Sequence, residues 1–189
     1  MVKAIQIQET GKPGVMKWVD IDLPDPGRGE VQIKHSYVGL NYIDCYFRSG
    51  LYPLANFPSI IGMEGAGTVQ NIGPGVKGLQ KGDKIAYAPV LGAYAQKRNI
   101  HYKRVVKLPS TISEKFAAAT MLKGMTVEYL IRRTYRVKAN DTVLFHAAAG
   151  GVGLIACQWL KHLGATVIGT VGSDTKARLA RRYGCQYTV

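Results

Sequence analysis

Polar and apolar positions change period along this chain, and each change marks an element. Lys3-Ala4-Ile5-Gln6-Ile7-Gln8 alternates and predicts a strand. Gly11-Lys12-Pro13-Gly14 reads as a turn, Val15 to Ile21 as the antiparallel partner, and Leu23 to Gly29 as a rigid Pro- and Gly-rich loop. Glu30 to Val38 is a longer alternating strand. Further β segments with Gly and Pro between them run to about Lys107, which predicts a partly closed β-barrel. Helical spacing takes over beyond. Ser113 is placed to cap a helix leading into Ala117-Ala118-Ala119. Lys123 to Leu130 opens a second helix that joins two domains, 1–122 and 123–189.

Thr142 to Gly164 combines both periods. Thr142 to His146 reads as a buried strand, Ala147 to Gly153 as a small-residue turn, and Leu154 onward as a helix. Ala165 to Val171 reads as a second strand and completes β-α-β. A glycine turn between strand and helix is the setting of a dinucleotide fingerprint. The helix N-terminus offers backbone N–H groups and a partial positive charge to a pyrophosphate, and small side chains let it approach. Gly150 and Gly153 fit the second and third fingerprint positions, whereas Ala148 occupies the first.

Composition narrows the class. The chain has 189 residues, 47% of them hydrophobic, and 22 glycines, as a globular protein rich in turns would. No apolar run approaches the roughly 20 residues of a membrane span. The N-terminus lacks the apolar core of a secretory signal, and the 3 cysteines are widely spaced, so a reduced cytoplasmic protein is expected. The formal charge of +13 is compatible with RNA or another polyanion, but the basic residues are scattered and no nucleic-acid motif accompanies them.

From Asn140-Asp141 through Leu144 and Ala148-Ala149-Gly150-Gly151-x-Gly153 to Gln158 and Lys161, the chain resembles the signature of zinc-independent quinone oxidoreductases. These form the zeta-crystallin branch of the medium-chain dehydrogenase/reductase superfamily. The resemblance implies a chaperonin-10-like catalytic β-barrel followed by a Rossmann nucleotide-binding domain. It also implies NADPH-dependent reduction of a quinone or enone. Gly150, Gly151, Val152 and Gly153 would cradle the pyrophosphate.

Asn41-Tyr42-Ile43-Asp44-x-Tyr46-x-Arg48-Ser49-Gly50-x-Tyr52-Pro53 also matches the family. Tyrosines offer apolar faces to a flat ring and a hydroxyl to its carbonyl. By resemblance Tyr46 and Tyr52 line the quinone pocket, and Tyr42, Asp44 and Tyr46 approach the cofactor; Tyr46, Tyr52 and Asn41 are expected to form the catalytic site that anchors the developing oxyanion. Thr126 and Tyr129 are implied beside the cofactor at the cleft between domains. Zinc-dependent relatives read Gly-His-Glu-Gly-Ala-Gly where this chain has Gly62-Met63-Glu64-Gly65-Ala66-Gly67, and a cysteine ligand where it has Asn41. Methionine is a poor zinc ligand and no Cys-x-x-Cys lobe exists, so no metal is expected. Glu64 is expected to hold hydrogen bonds in the Gly-rich turn, and His101 and His146 to be structural.

The end of the second strand selects the cofactor. NAD enzymes place an acid there for the ribose 2′-OH. Here Thr170-Val171-Gly172-Ser173 has none, and Asp174 falls where a helix cap is wanted. Ser173, Lys176 and Arg178 suit a 2′-phosphate, and Gly172-Ser173-x-x-Lys176 matches the family pattern for NADPH. Family members continue with further strands, whereas this chain stops at the start of a third parallel strand. The resemblance thus implies a C-terminally truncated chain, with an incomplete nucleotide domain and activity left open. A homodimer or a second chain completing the sheet are the alternatives for its assembly. A non-catalytic fragment that binds RNA is the alternative function.

Overall fold

In the computed structural model, which describes residues 1–189, β1 (Val2–Ile7) and β2 (Lys17–Ile21) pair antiparallel, Val2 facing Ile21 and Gln6 facing Lys17. β3 (Glu30–Val38) has the limits its alternation predicts, and α1 (Tyr42–Ser49) follows it. β4 (Ser59–Ile60) pairs with β1 and gives the order β2-β1-β4. β5 (Gly65–Ile72), β6 (Lys84–Tyr87), β7 (Lys97–His101) and β8 (Val106–Lys107) join β3 in an antiparallel sheet of order β7-β3-β5-β6-β8. An isolated bridge from Ala4 to Ala95, with backbone bonds from Ile5 to Tyr94 and from Gln96 to Lys3, stitches β1 to the segment before β7, and the two sheets do not close fully.

The interior of this β unit follows the two-residue strand period. Val31, Ile33, Val69, Ile85, Tyr87 and Ile100 pack into one cluster. Register shifts at Gln32/Ile33 and His35/Tyr37 break the β3–β5 ladder and re-aim the end of β3, where α1 begins.

The two helices expected after Ser113 are one, α2 (Glu114–Glu128), continued by a π-helical stretch over Tyr129–Thr134. Ser113 does cap it, its hydroxyl accepting from the Phe116 amide at 3.2 Å. Gly124 does not interrupt the helix, and open space surrounds it. The chain divides into two units, Met1–Leu122 and Lys123–Val189, and the division falls within α2.

In the second unit β9 (Thr142–Phe145), α3 (Gly151–His162), β10 (Thr166–Gly169), α4 (Asp174–Arg182) and β11 (Tyr187–Thr188) form a parallel sheet of order β11-β10-β9. Val143, Phe145 and Val167 share a core with Ala156, Cys157 and Leu160 of α3 and Ala180 of α4. The first strand is not the buried strand that its sequence suggests. Leu144 is 56% exposed, because β9 lies at an end of the sheet and Leu144 points away from the face that the core covers. The helix also starts earlier than its apolar spacing implies. Gly150 is extended at φ −81° and ψ 171° and caps α3, so Gly151, Val152 and Gly153 form its first turn.

Candidate functional site

The strand-to-helix turn of the second unit is tied to the next strand's end. Ala147 donates its amide to the Thr170 hydroxyl at 3.1 Å, and Ala148 donates to the Thr170 carbonyl at 3.1 Å. Ala147 sits in the left-handed region at φ 53°, and the Gly150 amide returns to its carbonyl at 2.8 Å. Gly153 is required by close approach. A Cβ there would lie 2.5 Å from the Ala147 oxygen and 2.6 Å from the Ala148 oxygen.

Ala148, at the first fingerprint position, is fully buried. It is accommodated from across the sheet. A Cβ on Gly169 would come 2.5 Å from the Ala148 Cβ, so the methyl occupies space that Gly169 leaves.

Beside this turn lies a cavity of about 340 Å³ lined by Ala147, Ala149, Gly150, Thr170, Val171, Gly172 and Lys176. Its one charged lining residue is a lysine, α3 has no acid in its first turn, and nothing stands within 4 Å of a Cβ built on Gly172. Small residues, a helix N-terminus and a cation fit a dinucleotide's phosphates. A second cavity of about 440 Å³ shares Val171 and is lined also by Ser173, Asp174, Arg178 and Arg181. The structure thus places Lys176 in one cavity and Ser173 and Arg178 in the other. Ser173, not Asp174, caps α4, its hydroxyl accepting from the Lys176 amide at 3.4 Å. Asp174 follows in the first turn, where the helix dipole favours an acid. Thr126 in α2 and Tyr129, which opens the π-helical stretch, line neither cavity.

In the first unit, α1 brings the predicted tyrosines together. Tyr42 and Tyr46 are four residues apart and so share a helix face, their rings edge-on at 5.3 Å. Tyr46 and Tyr52 are also 5.3 Å apart, and the Tyr52 amide donates to the Tyr46 carbonyl at 3.1 Å. Phe47, which the sequence reading passed over, meets Tyr52 edge-on at 5.7 Å. Tyr42 is 76% and Tyr52 43% exposed, so the cluster presents aromatic surface to solvent.

Asn41 and Asp44 are buried instead. The Asp44 carboxylate accepts from the Asn41 amide N–H at 2.9 Å and from the Tyr94 hydroxyl at 2.7 Å. The Asn41 side chain, expected to anchor a developing oxyanion, donates to Glu64 Oε2 at 2.8 Å. Glu64 is fully buried, and its Oε1 accepts from the Leu122 amide at 2.7 Å. The part of Tyr94 was missed because nothing local marks it; it lies 50 residues from Asp44.

The Gly62 to Gly67 run builds this arrangement without a metal's donor set. Gly62, at φ 94°, has no Cβ because the Tyr94 ring lies against it. Gly65 leaves room for the His35 and Tyr87 rings, a Cβ there coming 3.1 Å from each. The residues at 41 and 63 are Asn and Met, and no three His, Cys, Asp or Glu side chains gather where a metal could bind. A zinc ion does not fit these residues. His35 is instead held between the Ala95 carbonyl and the Tyr87 hydroxyl. His101 accepts from the Lys103 amide at 3.3 Å, and His146 lies 3.2 Å from the Thr170 hydroxyl.

An antiparallel β unit followed by a parallel β-α-β unit with a phosphate-type turn defines a class, that of the medium-chain dehydrogenases and reductases. Comparison with known proteins agrees. Residues 27–141 match the alcohol dehydrogenase GroES-like domain, and residues 151–189 match the family described as zinc-binding dehydrogenase. The chain belongs to the alcohol dehydrogenase GroES-like family, within that superfamily, and its relatives there include quinone oxidoreductases.

Quinone oxidoreductase of Pseudomonas aeruginosa is 48% identical over 190 residues, covering 100% of this chain and 58% of that protein. The 2-haloacrylate reductase of a Burkholderia species is 40% identical, covering 100% of this chain and 59% of that protein. The crystal structure of Escherichia coli quinone oxidoreductase complexed with NADPH superposes with a TM-score of 0.96 at 47% identity, over 99% of this chain and 58% of that one. This chain therefore spans under two thirds of the length of these relatives. No helix in it is long and apolar enough to cross a membrane.

Proposed function

We propose that this chain binds NADPH and takes part in hydride transfer to a quinone or an activated alkene, without a metal. The observation that carries the reading is the Ala147–Gly153 turn with the lysine-lined cavity at its side. Support comes from relatives named as a quinone oxidoreductase and a 2-haloacrylate reductase, and from the related structure that holds NADPH. Both acceptors implied by those names are electron-poor double bonds conjugated to a carbonyl or carboxyl group.

When bound, the reduced nicotinamide supplies the hydride. The residues do the rest. The amides of Gly151 and Val152, in the first turn of α3, would offer their N–H groups to the pyrophosphate, and Gly153 holds helix and strand close enough for that. Lys176 and Ser173, after Gly172, take the 2′-phosphate and so favour NADPH over NADH. Tyr46 and Tyr52 offer ring faces to a flat acceptor and a hydroxyl to the oxygen on which charge develops. Asn41 and Asp44 serve that site by fixing α1, where their polar atoms are engaged. Tyr42, Thr126 and Tyr129 are assigned to the cofactor by the family pattern alone. No observation favours the RNA-binding alternative.

The test is a fluorescence titration with NADPH together with quinone-dependent NADPH oxidation. The reading expects saturable NADPH binding, turnover with a simple quinone, and a loss of turnover in Tyr52→Ala that Tyr52→Phe only partly shares. An absence of NADPH binding would overturn it.

A further inference from the structure

We propose that Tyr94 is a positioning residue for the tyrosine cluster, acting through Asp44 on the N-terminus of α1. The inference rests on the functional reading above and adds to it a residue that touches none of the reacting groups.

The need for such a residue is set by length. α1 has 8 residues, too few to hold a helix alone, so its direction must be imposed from outside. At its C-terminal end the Gly11 amide donates to the Arg48 carbonyl at 2.8 Å, and Arg48 Nε donates back to the Gly11 carbonyl at 3.1 Å. Gly50 closes that end at φ 85°. At the N-terminal end Asp44 Oδ2 receives both the Asn41 amide and the Tyr94 hydroxyl. Tyr46 and Tyr52 lie between or just beyond these two clamps.

Tyr94 is suited to the task because its own position is fixed on three sides. Its amide donates to the Ile61 carbonyl at 3.0 Å, and its carbonyl accepts from the Ile5 amide at 2.7 Å. Its ring lies on the bare backbone of Gly62, where a Cβ would come 2.8 Å from Cε1. Burial, and then the bond to Asp44, push its hydroxyl well above the usual tyrosine range, so it stays a donor. A barrel residue thereby sets where the helix starts.

Tyr94→Phe keeps the ring and removes the donor. The KM for quinone should rise roughly fivefold, the factor one net hydrogen bond is worth, with NADPH affinity within twofold of wild type. Amides of residues 42–49 should exchange faster with solvent, while those of β3 and β5 do not. Arg48→Met, which loosens the other clamp, should give the same acceptor-selective loss and serves if Tyr94→Phe does not fold. A quinone KM unchanged in both variants overturns the proposal, as does an equal loss of NADPH affinity, which marks a general defect. Absence of quinone turnover in the wild type overturns the functional reading itself.

Discussion

The Nε2 atom of His35 lies 2.8 Å from the Tyr87 hydroxyl, and Nδ1 of the same ring lies 2.5 Å from the Ala95 carbonyl. A carbonyl only accepts, so Nδ1 carries the proton and Nε2 accepts from Tyr87. The Tyr87 oxygen in turn accepts from Arg98, 3.3 Å away, whose guanidinium also lies 5.0 Å from the Tyr87 ring centre. Donors and acceptors are matched only while His35 is neutral. A second proton on Nε2 would face a hydroxyl already turned towards it.

Burial lowers the His35 pKa from 6.5 to about 4, the Ala95 bond opposing and the Arg98 charge adding. The unfolded chain takes up this proton near pH 6.5 and the folded chain only near pH 4. His35 therefore favours the fold fully above pH 6.5, and the benefit is lost as pH falls from 6.5 to 4. The linkage is worth about 3 kcal/mol over that window. Urea melts of the wild type at pH 7, 5.5 and 4 should show the decline. His35→Gln should be less stable at pH 7 but flatter across the range, and parallel pH profiles would contradict the assignment.

Two glycines near the nucleotide turn should answer differently to the same change. Gly153→Ala places a methyl 2.5 Å and 2.6 Å from two backbone oxygens, those of Ala147 and Ala148. It should cost the second unit about 1–3 kcal/mol and weaken NADPH binding with it. Gly172→Ala meets nothing within 4 Å. It should leave the melting temperature alone and yet reduce NADPH affinity, because Gly172 lines the proposed phosphate cavity. Melting curves paired with NADPH titrations separate the two. A Gly172→Ala variant with full affinity would remove that cavity from the binding site.

What could be read from the sequence were features whose cause is local. β3 follows from alternation over Glu30–Val38, and the turn at Gly150 and Gly153 from its flanking strand and helix. Leu144 is exposed where the sequence predicts a buried strand, because a run of apolar residues shows hydrophobicity but not which face the fold will cover. The two helices expected over Ser113–Leu130 are one, because the residues between Ala119 and Lys123 continue α2 without a break. The sequence places Asn41 in the catalytic site and Asp44 beside the cofactor, yet their partners Glu64 and Tyr94 lie 23 and 50 residues away. Ala148 looked like a defect in the fingerprint until Gly169, on the paired strand, was seen to leave space for its methyl.

The sequence groups Ser173, Lys176 and Arg178 around a 2′-phosphate, but Ser173 and Lys176 carry different structural duties. Ser173 caps α4, and a capping hydroxyl is worth about 1 kcal/mol to the helix it starts. Ser173→Ala should therefore lower stability first, with a modest fall in NADPH affinity beside it. Lys176 is exposed, and its side chain is the charged element of the 340 Å³ cavity. Lys176→Ala should leave the melting temperature within a degree or two and weaken NADPH roughly tenfold, as loss of a charge-assisted contact would. NADH lacks the 2′-phosphate, so its affinity should not change, and the preference between the cofactors should narrow by the same factor. Raising the salt concentration should shrink the difference between wild type and variant. Equal losses for NADPH and NADH would show that Lys176 meets the shared pyrophosphate instead, and the discrimination would then fall to Ser173 and Arg178 in the second cavity.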